Sequence, residues 1–295
     1  MPDYAISCCS TADLSLDYFK EKQVPIAYFH FQLDGEDYLD DCQVSMPSEE
    51  LFRRMDAGAM TKTSQVSVAE YTDLFRPILE SGRDILHITL SSGISGSYNS
   101  AIIAQQEMQE AFPERKIYIL DSLNASSGFG LLLDTMLEKR ANGMDIDSLY
   151  EWAKENRLHC HAWFFSSDLT YFIRGGRVSK AAGTIGNILG ICPLLNIDYE
   201  GKLTVREKVR TKKRVIKRIV EVMKEHAEGG ADYSGKCFLS HSLCPEDAAS
   251  VSGLIEQTFP NLDGPVQVYP IGTTIGSHTG PGTIAVFFWG DLRKD

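Results

Sequence analysis

Residues 90–101 read Leu-Ser-Ser-Gly-Ile-Ser-Gly-Ser-Tyr-Asn-Ser-Ala and join two segments of different character. The segment before them, Asp84–Thr89, is a short apolar run typical of a buried strand. The segment after them has apolar residues at helical spacing: Ala101, Ala104, Met108 and Phe112. A strand, a Gly/Ser loop and a helix in this order predict an α/β fold, in which ligands bind at the carboxyl ends of the strands.

This serine-rich loop suits an anion such as a carboxylate or a phosphate. The free N–H groups at the start of the helix can donate hydrogen bonds, and so can four hydroxyl groups, those of Ser91, Ser92, Ser95 and Ser97. The alternative is an ordinary helix cap, in which one serine bonds the first turn and the others are solvated. The loop alone does not distinguish these interpretations.

Two more polar clusters stand elsewhere in the chain. Residues 61–67 read Thr-Lys-Thr-Ser-Gln-Val-Ser and precede a predicted helix with one apolar face, formed by Val68, Tyr71, Phe75 and Ile78. Residues 276–282 read Gly-Ser-His-Thr-Gly-Pro-Gly. Both clusters are interpreted as loops.

Taken together, these motifs resemble those of the DegV family. In chain order they are Thr-Ser-Gln-x-Ser at 63–67, the Ser/Gly loop at 91–101, Asp-Ser at 121–122, Gly-Gly-Arg-Val at 175–178 and His-x-Gly-Pro-Gly at 278–282. The resemblance covers residues 4–289, essentially the whole chain. It implies a two-domain α/β fold with mainly parallel sheets flanked by helices and a ligand between the domains. It also implies a bacterial protein that binds a long-chain fatty acid such as hexadecanoate, since some members are the acyl-carrying subunit of a fatty acid kinase.

The resemblance places the carboxylate of the fatty acid between the Thr-Ser-Gln loop at 63–67 and the Ser/Gly loop at 91–101. Thr63 and Ser95 are the expected carboxylate ligands, and Ser64, Ser92 and Gly96 are their neighbours. Hydroxyl and amide donors suit this role because hydrogen bonds to a charged group are the stronger kind. For Thr63 the alternative is a cap for the helix that follows.

A histidine and two arginines complete the expected site. His278 stands in a glycine-rich segment, and the resemblance implies that it lies near the carboxylate and assists phosphoryl transfer. The alternative for His278 is a solvated loop position. Arg174 and Arg177 flank two glycines, and the resemblance implies a place at the mouth of the site or in contact with a kinase subunit. They also suit a helix C-terminus, which favours cations and glycine.

Two positions depart from the family pattern. Cys9 stands where many relatives have an aspartate, and Cys192 stands where relatives often have a lysine before Pro193. The resemblance therefore supports fatty acid binding more strongly than partnership with an ATP-dependent fatty acid kinase subunit.

Composition excludes several classes of function. The 295-residue chain has 43% hydrophobic and 23% charged residues, as an ordinary globular protein does. Its formal net charge of −11 argues against a nucleic-acid-binding surface, which needs concentrated positive charge. No apolar stretch approaches the roughly 18 residues of a membrane-spanning helix, and the N-terminus lacks the features of a secretory signal. We expect a cytoplasmic protein that binds no nucleic acid and has no transmembrane segment.

The spacing of cysteine and histidine is not that of a metal site. The seven cysteines are scattered and include no Cys-x-x-Cys pair, which also argues against a disulfide framework. His159 and His161 would share one face of a strand, and His241 stands three residues before Cys244. Zinc needs three or four converging ligands, and no standard spacing supplies them. We expect buried thiols, surface histidines, no metal and no cofactor.

Alternating strand and helix signals place a domain boundary near the middle of the chain. Predicted strands cover residues 4–7, 25–32, 84–89, 116–120, 160–165, 193–197, 203–209, 236–240, 266–269 and 283–289. Predicted helices include 128–142, 147–157 and 212–227, and hairpin turns are expected at 33–37 and 198–202. A boundary after the helix at 147–157 separates domains of 1–158 and 159–295.

The apolar slot for an acyl tail is less definite. Several aromatic and aliphatic residues near the second-domain loops are candidates, although residues at such spacing are more often ordinary core. They are Phe164, Phe165, Leu169, Phe172, Ile173, Ile185, Ile188, Leu189 and Leu194. None is assigned to the site.

A serine hydrolase acting on acyl esters is the alternative from another class of function. Ser92 or Ser95 would be the nucleophile and His278 the base, which is the minimum for such chemistry. The loop is not the Gly-x-Ser-x-Gly elbow, and no particular aspartate is identifiable as the orienting acid. The sequence also has no phosphate loop of the Gly-x-x-x-x-Gly-Lys-Ser/Thr type. We therefore expect a lipid-binding protein without catalysis of its own.

Overall fold

A computed structural model describes residues 4–179 and 190–294, which form an α/β structure. The described strands are β1 (Tyr4–Cys9), β2 (Ile26–Ala27), β3 (His30–Leu33), β4 (Glu36–Leu39), β5 (Thr61–Ser64), β6 (Asp84–Thr89), β7 (Ile117–Asp121), β8 (Cys160–Ser166), β9 (Ile191–Ile197), β10 (Leu203–Arg210), β11 (Phe238–His241), β12 (Gln267–Pro270) and β13 (Thr283–Trp289). The described α-helices are α1 (Leu16–Lys22), α2 (Ser48–Asp56), α3 (Val68–Glu80), α4 (Ser97–Ala111), α5 (Ser127–Ala141), α6 (Ile146–Asn156), α7 (Thr170–Arg174), α8 (Lys212–His226), α9 (Pro245–Thr258) and α10 (Thr273–Thr279). The α/β class predicted from the sequence is confirmed.

The first sheet is parallel and includes the strand that precedes the Ser/Gly loop. Its order is β2-β1-β6-β7, and each neighbouring pair runs parallel. β1 is buried along its whole length and β6 at every position after its first residue, as expected for a parallel sheet covered on both faces. β6 ends at Thr89 and α4 begins at Ser97, so the loop between them leaves the carboxyl edge of the sheet.

The second sheet has six strands in the order β10-β9-β8-β13-β11-β12. β11 and β12 are parallel, whereas β8 runs antiparallel to both β9 and β13. The expectation of mainly parallel sheets holds for the first sheet and not for the second. The physical reason is that a run of apolar residues reports burial on both faces of a strand but not the direction of its neighbours.

A small antiparallel sheet, β4-β3-β5, completes the architecture. The predicted hairpin turn at 33–37 is present, with Asp34 and Gly35 at φ values of 54° and 87°, as in a tight two-residue turn. The predicted strand 25–32 is instead divided between β2 and β3, which belong to different sheets. Thr61–Ser64, interpreted as a loop, forms β5, because main-chain pairing with β3 holds this polar segment extended.

The predicted helices agree with the structure to within one residue at each end. They correspond to α5, α6 and α8. α3 begins with a capping box, in which Ser67 Oγ accepts from the Glu70 N–H and the Glu70 carboxylate accepts from the Ser67 N–H. Ser67, not Thr63, therefore caps this helix. No helix in the described part of the chain is both long and apolar enough to span a membrane.

The two large sheets come from different parts of the chain. The strands of the first lie between residues 4 and 121, and those of the second between residues 160 and 289. α10 belongs to the C-terminal part but packs against β3 and β5 of the small sheet. The small sheet therefore brings residues from both parts of the chain together. The boundary between residues 158 and 159 stays a prediction.

Candidate functional site

A cavity lies where the Ser/Gly loop, the small sheet, α10 and the second sheet meet. The side chains around it enclose about 960 Å³ of empty space, counting the part open to solvent. Its apolar lining consists of Phe29, Leu90, Ile94, Ala125, Ala162, Phe164, Phe172, Ile197, Leu203, Ile271, Ile275, Ala285 and Phe287. Its polar lining consists of Thr63, Gln65, Ser95, Gly96, Ser126, Arg177, Thr274, His278, Thr279 and Thr283. A mainly apolar cavity with a few polar groups is the usual form of a small-molecule site.

The apolar wall of the cavity is one face of the second sheet, which supplies six of the thirteen apolar lining residues. Ala162 and Phe164 alternate with Trp163 on β8, so they share the face that lines the cavity. On β13 their cross-strand partners are Phe287 and Ala285, so each pair joins one large and one small side chain. The small member of each pair leaves space above the sheet, which is how a buried face can hold a cavity.

Of the other tail candidates, Phe172 also lines the cavity. Phe165 and Leu194 belong to the core on the opposite side of the sheet, and Leu169 is fully buried in the main core. Ile173 packs at the edge of that core. Three further candidates, Ile185, Ile188 and Leu189, lie outside the described residues.

The structure brings Thr63 to the cavity and directs Ser64 away from it. Both lie on β5, where Thr63 pairs with Phe31 of β3. Successive side chains of a strand point to opposite faces, so Thr63 lines the cavity while Ser64 is exposed on the other face. Adjacent hydroxyls in the sequence are therefore not adjacent in the site.

Among the four hydroxyls of the Ser/Gly loop, Ser95 is the one that reaches the cavity. Ser91 is buried and donates a hydrogen bond to the main-chain oxygen of Gly201 at 2.8 Å. Ser92 is exposed and does not line the cavity, and Ser97 is hydrogen-bonded to the Tyr71 hydroxyl. Ser95 Oγ accepts a hydrogen bond from the Ser97 N–H at 3.2 Å, so it helps to hold the start of α4 as well.

His278 lies on α10 and contacts the predicted head-group residue directly. Its Nε2 is hydrogen-bonded to Thr63 Oγ1 at 2.7 Å. Burial lowers the pKa of His278 to about 4, with a smaller contribution from the Arg177 guanidinium, so the ring is neutral at pH 7. Its other nitrogen, Nδ1, is buried and has no hydrogen-bond partner in the described ranges. The sequence interpretation of this segment as a flexible loop is corrected, because it is largely helical.

The two predicted arginines differ in position. Arg177 lines the cavity and donates a hydrogen bond to the main-chain oxygen of Gly175, while Arg174 is exposed and stacks on Tyr171. Arg177 is the one Lys or Arg side chain lining the cavity in the described part of the chain. Gly175 is required to be glycine, because a Cβ there would lie 2.1 Å from His278 Nδ1. The Gly-Gly-Arg motif thus makes room for the histidine of the distant His-x-Gly-Pro-Gly motif.

Gln65 and Ser126 also line the cavity and are not predicted from the sequence. Gln65 Nε2 donates to Ser100 Oγ at 2.8 Å, and a Cβ at Gly96 would lie 2.3 Å from Gln65 Oε1. The Thr-Ser-Gln motif and the Gly of the Ser/Gly loop therefore fit against each other. Ser126 has a positive φ of 53° and donates to the buried Asp13 carboxylate, a nonlocal contact that no local pattern reveals.

The two departures from the family pattern lie away from the lining. Cys9 is buried beneath the loop, with its Sγ 3.2 Å from the Tyr71 hydroxyl and 3.6 Å from His87 Nε2. Burial raises the pKa of the Cys9 thiol to about 11, so this position carries no negative charge at neutral pH. Cys192 is buried on β9 and belongs to the core on the far side of the second sheet.

The lining as a whole suits an amphipathic anion. No carboxylate and no thiol lines the cavity within residues 4–179 and 190–294, so no charge-balanced metal-ligand set is present there. Thr63, His278 and Arg177 lie together in one part of the lining, and the alanine–phenylalanine pairs of β8 and β13 form another part. Such a cavity can hold one negatively charged polar group joined to an apolar body.

Comparison with known proteins agrees with this architecture. A family model described as an uncharacterised protein of the DegV family matches residues 4–291. A DegV domain-containing protein of Clostridium perfringens, CPE0026, is 31% identical over 294 residues, covering 100% of both chains.

Solved structures share the fold. A stearic-acid-binding protein from Eubacterium ventriosum is 26% identical, with a TM-score of 0.86 over 97% of this chain and 98% of that one. The fatty acid kinase (Fak) B3 protein of Streptococcus pneumoniae, loaded with linoleic acid, is 21% identical and has a TM-score of 0.85 over 99% and 100% of the two chains. This chain belongs to the DegV family.

Proposed function

We propose that this protein binds one long-chain fatty acid and presents its carboxylate to a separate, ATP-binding kinase subunit. The single observation that carries the proposal is a mainly apolar cavity in which Thr63, His278 and the cationic Arg177 lie together. This group, with Ser95 of the same lining, is called the polar end. The 26%-identical relative that binds stearic acid has the same fold and supports the same ligand class.

At the polar end, the hydroxyls of Thr63 and Ser95 are the proposed carboxylate ligands. His278 already contacts Thr63, and Arg177 supplies a positive charge from the same lining. An arginine keeps its charge when half-buried, because its ordinary pKa exceeds 12. A bound carboxylate would therefore be met by charge-assisted hydrogen bonds.

The tail is proposed to lie against the alanine–phenylalanine pairs of β8 and β13. Each methylene moved out of water contributes about 0.8 kcal/mol, so a long acyl chain supplies most of the binding free energy. Among the described lining residues, the residues of β8 and β13 carry no charged side chain that the tail would have to desolvate.

A kinase partner is proposed because the polar end is open and the sequence contains no phosphate loop of the Gly-x-x-x-x-Gly-Lys-Ser/Thr type. Gln65 and Gly96, which line this end, are exposed, as is the nearby Arg174. Phosphoryl transfer needs a nucleotide and metal cradle, and no Gly-x-x-x-x-Gly-Lys-Ser/Thr loop occurs in the sequence. The nucleotide would therefore be brought by another protein.

The alternative of a serine hydrolase receives less support from the geometry. His278 Nε2 contacts Thr63 rather than Ser95. A triad also needs an acid that accepts from the second histidine nitrogen, and His278 Nδ1 has no partner among the described residues. An ester panel assayed with wild type and Ser95→Ala tests this alternative, which turnover lost in the variant would revive.

The decisive experiment for lipid binding is mass spectrometry of the ligand. Protein purified without added lipid is denatured, and the released acyl chains are quantified against protein. We expect about one long-chain fatty acid per chain, or binding of added palmitate or oleate to delipidated protein. Absence of both would overturn the proposal.

The kinase step is tested by reconstitution with the ATP-binding subunit from the same cell. We expect acyl phosphate only when both proteins and ATP are present, and we expect His278→Ala to reduce its formation more than it reduces lipid binding. Acyl phosphate made by this protein and ATP alone would contradict the assignment.

A further inference from the structure

The structure gathers two histidines and an aspartate on the side of the second sheet away from the cavity. His161 lies on β8, next to Ala162, which lines the cavity on the opposite face. His226 is the last residue of α8, and Asp291 follows the end of β13. One donor atom from each of the three lies within 4.8 Å of the other two.

We propose that His161, His226 and Asp291 form a binding site for a divalent transition-metal ion, with Zn²⁺ as its probe. Two imidazoles and a carboxylate are among the ligands that Zn²⁺ takes in proteins. Nothing in the proposed lipid-binding function uses these residues, so the inference is independent of that function.

The distances between donor atoms fit a single ion. His161 Nε2 is 3.0 Å from Asp291 Oδ1 and 2.8 Å from the main-chain oxygen of Asp291. His226 Nδ1 is 3.2 Å from the same Oδ1 atom. With metal–ligand bonds of about 2.0–2.2 Å, the donors of a tetrahedral site lie about 3.3–3.6 Å apart, so the three side chains would have to separate by a few tenths of an ångström to hold the ion. The main-chain oxygen is a possible fourth ligand.

The imidazoles are held by ring stacking. His161 stacks on Phe288 at 5.2 Å and on His226 at 5.2 Å, and His226 stacks on Trp163 at 5.4 Å. The His161 and His226 planes differ by 25°, so the half-exposed His226 ring would have to turn for both rings to direct a lone pair at one ion. His161 is 97% buried by contrast, since its exposed fraction is 3%.

His161 has a nitrogen that the protein does not satisfy. Its Nδ1 is buried and has no hydrogen-bond partner in the described part of the chain. In the structure Nε2 carries the ring proton and donates it to the main-chain oxygen of Asp291, so an ion bound by Nε2 would require that proton to move to Nδ1. Asp291 supplies the negative charge, and the buried Arg293 nearby is already engaged by main-chain oxygens, including those of Ile197 and Leu123.

The site is open to solvent on one side. The side chain of Asp291 is 62% exposed and that of His226 is 34% exposed. A cavity of about 590 Å³, counting the part open to solvent, lies beside them and is also lined by Trp163, Asn196 and Arg206. An ion can therefore enter without unfolding of the sheet.

The test uses full-length protein without a histidine tag. Zn²⁺ binding is measured by titration calorimetry, and bound zinc is counted by mass spectrometry after dialysis. We expect about one Zn²⁺ per chain in wild type. Asp291→Asn and His226→Gln change exposed or half-exposed side chains. Each should weaken Zn²⁺ binding by at least about tenfold to a hundredfold, the loss seen when a residue that hydrogen-bonds to a metal ligand is removed.

His159→Gln is the matched control, because His159 lies on the same chain segment but outside the cluster, with Nδ1 2.9 Å from the Gly290 oxygen. It should bind Zn²⁺ as wild type does. Fatty acid binding should be equal in all four proteins, since the cluster is on the other side of the sheet. Failure of wild type to bind Zn²⁺, or equal binding in wild type and both cluster variants, would overturn the site whatever the outcome for the lipid.

Discussion

The polar end and the apolar wall of the cavity are built in different ways. The polar end collects Thr63 from β5, Ser95 from the Ser/Gly loop, Arg177 from beyond α7 and His278 from α10. The wall comes mainly from two neighbouring strands, whose alternating side chains place Ala162, Phe164 and their partners on one face. The polar end depends on the meeting of four segments that are distant in the sequence. The wall depends on the alternation of side chains between the two faces of a strand.

This difference predicts how each region responds to change. The wall is one continuous surface, so its contribution to binding depends on the volume left free above it. The polar end is a set of separate contacts, so each side chain can be removed with a limited effect. Perturbing the two regions separately therefore tests whether the tail supplies most of the affinity and the head group a smaller part.

The largest effect is expected from filling the space above the wall. Ala285→Phe places a ring where the small member of the Phe164–Ala285 pair leaves room. Occupation of that space should reduce affinity for palmitate by more than about a hundredfold, the equivalent of some four buried methylenes at about 0.8 kcal/mol each. Titration of delipidated protein with palmitate measures this.

The control for that variant is Ala285→Gly, which adds no volume and should keep affinity within about tenfold, since it removes one methyl group, worth about 0.8 kcal/mol. A melting temperature near that of wild type is needed for both proteins. Palmitate affinity of Ala285→Phe equal to that of wild type would show that the tail lies elsewhere.

A smaller effect is expected at the polar end. Thr63→Ala or Ser95→Ala should weaken fatty acid binding by about 1–3 kcal/mol, the range for losing a hydrogen bond to a charged group. Calorimetry with oleate is the measurement. The sequence supplies matched controls, because Ser64 and Ser92 neighbour these positions but do not line the cavity. Ser64→Ala and Ser92→Ala should leave affinity unchanged, and equal losses in all four variants would refute the placement of the head group.

The third effect is the contribution of His278, at the polar end, to the pH dependence of stability. The pKa of His278 is about 4 in the folded protein, compared with 6.5 for an unperturbed histidine, because burial disfavours the charged ring. The unfolded chain therefore binds more protons between these values, so the free energy of unfolding should fall as pH drops from 6.5 toward 4. Urea unfolding of lipid-free protein between pH 7.5 and 4.5 measures this.

His278→Gln should show a shallower fall in the free energy of unfolding over the same range. The remaining slope comes from other groups, including the buried His87, whose pKa is also lowered, to about 3. Identical pH profiles for wild type and variant would mean that the His278 ring is solvated rather than buried.

Local features of the fold could be predicted from the sequence because each depends on a few neighbouring residues. The Asp34–Gly35 turn follows from the tolerance of these two residue types for positive φ. The strand and helix on either side of the Ser/Gly loop follow from apolar spacing. The direction of strands in the second sheet did not follow, since a strand buried on both faces looks alike in parallel and antiparallel sheets.

From the sequence, the candidate site could be predicted only as a set of residues, without the orientation of their side chains. The resemblance drew attention to Thr63, Ser95 and His278, which all line the cavity, and equally to Ser64 and Ser92, which do not. Composition cannot separate these residues, because the orientation of a hydroxyl depends on the strand register or loop conformation around it. Their roles toward a ligand stay predictions.

By itself, the sequence determined the α/β class, the three helices at 128–142, 147–157 and 212–227 to within one residue, the tight turn and the motifs that gather at the cavity. Only the tertiary structure decided which hydroxyls face that cavity, why Gly175 must lack a side chain, and that His161 meets His226 and Asp291 rather than His159. The physical reason is the separation along the chain between the residues that interact. Turns, caps and periodicity are interactions within a few residues, whereas the site and the histidine cluster depend on contacts between segments 65 to more than 200 residues apart.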